Sequence, residues 1–157
     1  MAKAVELHEK LVQELKVFIP DGDFITQCLF QPFPRLFGQA SAAAGGNVTG
    51  IDRQPHNGLL WLAVAQVRTA EQDVFAYSRV REWAEAVRQF AATIDGGEGN
   101  LEWTYLNYAD GTQDPLASYG LDNVRFMKDV AAKYDPEQVF QTLCPGGFKL
   151  SNVKLPE

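Results

Sequence analysis

Leu59-Leu60-Trp61-Leu62-Ala63-Val64-Ala65-Gln66-Val67-Arg68, followed at once by Thr69-Ala70-Glu71-Gln72, is the stretch that decides the fold. The first ten residues are mostly apolar and read as a central β-strand. Thr69 with Gln72 three positions later matches a capping box, in which the hydroxyl and the amide each satisfy a free N–H of the first helical turn. A long helix is therefore expected to open there. Its apolar stripe is Val80, Trp83, Ala84, Val87, Phe90, Ala91 and Ile94, and Gly96-Gly97 closes it.

Working outward, residues 2–18 place Ala4, Val5, Leu7, Leu11, Val12, Leu15 and Phe18 along one face of a helix. Pro20-Asp21-Gly22-Asp23 ends it with turn chemistry. Residues 24–31 are rich in strand formers, and Pro32-Phe33-Pro34 stops the ladder because proline has no N–H to donate. Residues 40–57, rich in Ala, Gly, Asn, Asp and Pro, read as a long loop. Leu101 to Tyr108 reads as a third strand and residues 120–134 as a last helix, with Val124, Met127, Val130, Ala131 and Tyr134 on one side. Asp135 then caps one more turn, with Pro136 in its first helical position. The tail from Cys144 reads as extended. The order helix, strand, strand, helix, strand, helix predicts an α+β fold, an antiparallel β-sheet with helices packed on one face. At 157 residues the chain suits a single domain, 1–157, with one core.

Composition narrows the function classes. A formal charge of −6 with scattered Lys and Arg argues against a nucleic-acid surface, and no basic run suits an anionic membrane. No apolar stretch reaches the roughly 20 residues that span a bilayer. The amphipathic start lacks the apolar core of a secretory signal, so a cytoplasmic location is expected and the Asn47-Val48-Thr49 sequon reads as inert. Cys28 and Cys144 read as free thiols, Cys28 buried in its strand. His8 reads as solvent-facing, and two histidines 48 positions apart supply no metal site. Gly45-Gly46-Asn47 lacks the spacing of a phosphate-binding loop.

Two segments concentrate chemistry. Between the first two strands, Asp52, Arg53 and His56 offer a charge pair and a titratable group beside a pocket. In Trp103-Thr104-Tyr105-Leu106-Asn107-Tyr108, strand alternation puts Trp103, Tyr105 and Asn107 on one face, with Leu106 and Tyr108 on the other. An indole, a phenol and an amide in a row suit a ligand-facing surface better than a core, because each buried polar tip needs a partner.

The set Tyr105-x-Asn107-Tyr108-x-Asp110, Gln113-Asp114-Pro115, Ser118-Tyr119-Gly120, Lys133-Tyr134-Asp135-Pro136, Val139-Phe140-Gln141 and Pro145-Gly146-Gly147-Phe148-Lys149-Leu150 resembles the C-terminus of fungal FAD-linked oxidoreductases, in the berberine-bridge-enzyme-like group of the vanillyl-alcohol-oxidase superfamily. Gln31-Pro32-x-Pro34 and Gly45-Gly46-Asn47 extend the likeness over nearly the whole chain. The resemblance implies a truncated ferredoxin-like substrate domain whose antiparallel sheet covers the isoalloxazine. It implies that Tyr105 is the phenol beside the flavin, a base for substrate oxidation, and that Asn107 is its amide neighbour. It further implies that the FAD-binding domain of such enzymes has no counterpart in this sequence.

Two structural consequences and three functions are then expected. A sheet without its neighbours has a free edge, and the face meant for the flavin domain is bare, so a homodimer is the expected partner state beside a small-molecule substrate. The first expected function is a cofactor-free cyclase or isomerase, pericyclic in type, acting on a reactive intermediate of a fungal natural-product pathway. Tyr105, Asn107, His56 and Arg53 are its catalytic candidates. Trp61, Trp103, Asp52, Gln27 and Tyr108 are its substrate contacts. The alternatives are a C-terminal piece of an FAD-dependent oxidoreductase, in which FAD is the cofactor, and a non-catalytic binding protein.

Overall fold

In a computed structural model that describes residues 1–97, 99–101 and 103–154, the quoted stretch folds as strand β2 (Gly58–Gln66) running into helix α3 (Ala70–Ala92). The capping box forms as the sequence requires. Gln72 N–H donates to Thr69 Oγ1 at 3.2 Å, and Thr69 N–H donates to Gln72 Oε1 at 3.2 Å. The helix ends earlier than the glycine pair. Thr93 N–H and hydroxyl both donate back to the Phe90 carbonyl, at 3.0 and 2.7 Å, which tightens the last turn into the 3-10 segment Ile94–Gly97.

The chain divides into two compact units, Met1–Pro32 with Leu59–Asn100 and Phe33–Gly58 with Leu101–Glu157. In the first, helix α1 (Ala2–Phe18) lies along α3 and buries Ala4, Leu11 and Leu15. Strand β1 (Ile25–Phe33) pairs with β2 in a two-stranded antiparallel sheet. Cys28 of β1 and Trp61, Ala63 and Ala65 of β2 pack on a core of Leu11, Leu15, Ile19, Ala76 and Trp83. Leu15 and Ile19 are 0% and 1% exposed, so this is where burial stabilises the unit most. His8 is half-buried instead of solvent-facing: it stacks on Trp83 at 4.8 Å, and its Nε2 meets Thr26 Oγ1 at 2.9 Å. Its charged sequence neighbours hide that one turn of α1 carries it onto the sheet.

On the other side of the sheet, β1 is exposed while Leu60, Leu62 and Val64 of β2 are half-buried. Alternation turns Ile25, Gln27 and Leu29 away from the helices, and Ile25 and Leu29 are 53% and 43% exposed. With two strands, each also keeps one unpaired edge.

The expected third strand is absent among the described residues; Glu102, within its span, lies outside them. Trp103 to Tyr105 carries no ladder, and Leu106–Tyr108 closes into a 3-10 turn. The donors of this segment go to loops: the Trp103 indole to the Thr49 carbonyl at 2.8 Å, and Thr104 N–H to Ser118 Oγ at 3.0 Å. Partnered in that way, the segment needs no strand beside it.

In the second unit, the expected long loop contains helix α2 (Leu36–Ala43) and a 3-10 turn, Ile51–Arg53. They touch at Gly38, where any Cβ would strike the Ile51 carbonyl. Helix α4 (Pro115–Ser118) is capped by Asp114, which accepts from Ala117 N–H at 3.1 Å. Helix α5 (Leu121–Tyr134) buries Val124 but leaves Val130 and Tyr134 exposed, so only the first part of its predicted stripe meets the core. The N-cap of the next helix is Gln138 and not Asp135, although the Asp135 carboxylate accepts from Val139 N–H at 2.7 Å and Phe140 N–H at 3.1 Å. That helix, α6 (Val139–Thr142), starts later than expected, because Gln138 takes φ 56 and Pro136 falls in the preceding turn. The tail folds back with Lys128 Nζ donating to the Val153 carbonyl at 2.6 Å. Val153 joins Leu116, Tyr119 and Val124 in the core of this unit. No described helix is long and apolar enough to cross a membrane.

Candidate functional site

The second unit gathers its aromatic side chains around Trp103. Phe33 stacks on the indole at 5.0 Å, Tyr105 at 5.9 Å and Tyr119 at 6.4 Å, and Tyr108 meets Tyr105 edge-on at 4.9 Å. The hydrogen bond to the Thr49 carbonyl fixes the indole plane, while Ser118 Oγ donates to the Pro115 carbonyl at 2.6 Å and so orients its lone pair toward Thr104 N–H. Asn107 Nδ2 donates to Tyr105 Oη at 2.9 Å, which leaves the phenolic O–H of Tyr105 free in direction to donate outward. Tyr119 is 4% exposed, and burial pushes its phenol above the ordinary value, partly offset by the backbone of Leu106.

Beside this cluster lies a cleft of about 220 Å³ lined by Phe33, Arg53, Gln54, Leu101, Trp103 and Ser118. Arg53 Nη2 donates to the Ser118 carbonyl at 3.1 Å. Its guanidinium is held between two glycines in the left-handed region. A Cβ on Gly50 (φ 70) would come within 2.5 Å of Nη2, and one on Gly120 (φ 93) within 2.6 Å of Nη1. Gln54 Oε1 is buried without a hydrogen-bond partner among the described residues. Among those residues no group of three or more His, Cys, Asp and Glu side chains is arranged to hold a metal ion.

The nine residues singled out from the sequence fall in both units. Arg53 and Trp103 line the cleft, and Tyr105, Asn107 and Tyr108 belong to the adjoining aromatic cluster. Tyr108 was expected on the opposite face from Tyr105. In a 3-10 turn, residues three apart eclipse, and the two rings therefore meet. Asp52 and His56 are exposed neighbours of Arg53 outside the cleft lining, and the guanidinium bonds Ser118 where a pair with Asp52 was expected. Trp61 and Gln27 belong to the first unit. Trp61 packs edge-on against Trp83 at 5.2 Å and donates to Cys28 Sγ at 3.3 Å, and Gln27 lies on the exposed side of β1. Phe33, Gln54, Ser118 and Tyr119 were not anticipated as site residues. The one signal for them was that Ser118-Tyr119-Gly120 recurs among the motifs of the family resemblance.

The chain is similar to fungal FAD-dependent monooxygenases. It is 35% identical over 151 residues to the FAD-dependent monooxygenase drtC of Aspergillus calidoustus, a match covering 96% of this chain and 28% of that protein. To the FAD-dependent monooxygenase sdcF of Emericella nidulans it is 36% identical over 151 residues, covering 96% of this chain and 31% of the relative. A protein named bifunctional solanapyrone synthase, from Alternaria solani, is 34% identical over 116 residues, covering 73% and 21%. The chain thus spans less than a third of the length of these relatives. No family model matches the chain. No solved structure matches it either.

Proposed function

We propose that this chain supplies the substrate-facing segment of an FAD-linked oxidoreductase of the berberine-bridge-enzyme-like group. The observation that carries the reading is a likeness extending over 96% of the chain to proteins named FAD-dependent monooxygenases. The geometry supports it in two places. One is the outward side of β1 in the first unit, where Ile25 and Leu29 stand exposed. The other is the phenol of Tyr105, held by Asn107 in an aromatic cluster beside a cleft.

FAD itself is not accommodated by these residues. The cleft of about 220 Å³ is smaller than the roughly 300–1,000 Å³ of sites that enclose drug-sized ligands, and FAD exceeds such ligands. The flavin would be held elsewhere in the longer enzyme and would carry the electron transfer. What this chain contributes is placement. Phe33 and Trp103 wall a planar substrate, Tyr105 exchanges a proton with it, and Asn107 sets the direction of the phenolic lone pairs.

A graft tests the assignment. The matching 151 residues of the Aspergillus calidoustus relative are replaced by the corresponding residues of this chain, and Tyr105→Phe is compared with the unaltered graft. Loss of a proton-transfer group is expected to lower kcat by about 10²- to 10⁴-fold with little change in KM. Equal kcat in both grafts contradicts the role given to Tyr105.

A second reading is favoured by one relative, the protein named a bifunctional synthase. A flavin-free cyclisation or isomerisation in the same aromatic cluster, driven by orientation and a hydrogen bond from Tyr105, fits that name. Turnover of a reactive polyene or enone by the chain alone, lost in Tyr105→Phe, would favour it. If the chain alone binds such a compound without turnover, the non-catalytic binding function is favoured.

A further inference from the structure

We infer that the cleft beside Trp103 is a binding site for an aryl carboxylate, a planar ring bearing an acid group. Two features of the cleft specify the two parts of that ligand. The first is the Arg53 guanidinium. Wedged between Gly50 and Gly120, it has little freedom to leave, and among the described residues it spends an N–H on one protein acceptor, the Ser118 carbonyl. A guanidinium offers five N–H donors in a fixed fork, so the remainder suit a carboxylate.

The second feature is the aromatic wall. Phe33 and Trp103 are stacked on each other at 5.0 Å and the indole is locked by its bond to the Thr49 carbonyl, so the wall needs no ordering when a ring arrives. The volume of about 220 Å³ admits one ring with its substituents.

A purely structural role for Arg53, pinning its 3-10 turn to α4 through Ser118, explains the one bond. It leaves the other N–H groups of the fork without a protein acceptor among the described residues. As the substrate class of the oxidoreductase, the inference rests on the reading above. As a binding site, it stands on the geometry and is tested on the full chain without flavin, so the two can fail separately.

The measurement is the Trp103 indole N–H resonance in nuclear magnetic resonance titrations with 4-hydroxybenzoate, benzoate and 4-hydroxybenzamide. Trp103→Phe assigns the peak. Saturable shifts of the Trp103 signal by 4-hydroxybenzoate are expected, with Trp61 and Trp83 unmoved. The uncharged amide should bind about 10- to 100-fold more weakly, the worth of charge-assisted hydrogen bonds, while benzoate, which keeps the acid group, should bind comparably to 4-hydroxybenzoate. Arg53→Gln should erase the preference for the carboxylate over the amide, and Arg53→Lys should keep part of it. Equal affinity for carboxylate and amide in the unaltered chain, or no saturable shift up to millimolar concentration, overturns the inference without reliance on any variant.

Discussion

Trp83→Ala is the substitution whose consequence follows most directly from the packing of the first unit. Trp83 is 4% exposed at the centre of its core. Its indole N–H donates to the Ala4 carbonyl at 3.1 Å, so it ties α3 to the first turn of α1. His8 stacks on it at 4.8 Å, and Trp61 meets it edge-on at 5.2 Å. Truncation removes the buried ring, leaves a cavity and strips two aromatic partners of their contact. Large-to-small changes of this kind cost about 3–5 kcal/mol. Each lost aromatic pair is worth about 0.5–1.5 kcal/mol beyond area, and some of that is already inside the first figure. Against a total stability of about 5–15 kcal/mol, about a fifth or more of the folding free energy is removed. Urea unfolding followed by far-ultraviolet circular dichroism measures it. With a slope of about 1–3 kcal/mol per molar, the midpoint should fall by about 1 M or more. Val17→Ala, on the same helix α1 and 84% exposed, should shift it by less than about 0.5 kcal/mol. A Trp83→Ala midpoint within the range of Val17→Ala refutes the packing described here.

Three further outcomes are expected. Tyr119 has its phenol raised above the ordinary 10.0 chiefly by burial, so its contribution to stability is complete below pH 10 and is lost as pH rises through the raised value. An alkaline unfolding step followed by tyrosinate absorbance should therefore appear in the unaltered chain and weaken in Tyr119→Phe. Glu85 has its carboxyl held down to about 2, from 4.5, by the Arg88 side chain first and Gln89 second. A depressed carboxylate stabilises α3 above pH 4.5 and loses that effect as pH falls toward 2, and Glu85→Gln should remove this part of the acid dependence in thermal melts. Finally, the isolated chain is expected to form a homodimer through the exposed side of β1 and the strand edges. Light scattering should report a dimer at micromolar concentration and a monomer for Leu29→Lys, while a monomeric unaltered chain contradicts the pairing.

Much of the fold was legible where the signal is local. Thr69 with Gln72, and the stripes of α1 and α3, mark elements that form from their own neighbours. The third strand failed for a non-local reason: alternation at 101–108 shows a two-faced segment but not whether a ladder partner exists, and here Thr49 and Ser118 take its donors. Helix α2 was hidden by reading Ala and Gly together as loop. Ser41-Ala42-Ala43 has good helix propensity, and the breakers come only at Gly45-Gly46, with φ 101 and 81. At the site, the grouping of Trp103, Tyr105 and Asn107 survived loss of the strand because their side chains still meet. The packing of Trp61 on Trp83 was not legible, because an apolar strand does not reveal which of its faces meets helices. Gln54 carries no pattern at all, and Tyr119 only its place in Ser118-Tyr119-Gly120. Their importance lies in an unpartnered oxygen and in burial, both of which exist only in three dimensions.

The central claim is that this chain is the substrate-facing segment of a flavin enzyme, and the graft into the Aspergillus calidoustus relative tests it most directly. The account predicts a yellow protein with a bound-flavin absorbance band that is bleached on adding substrate under anaerobic conditions. A folded graft that keeps its flavin but is never reduced by substrate contradicts it.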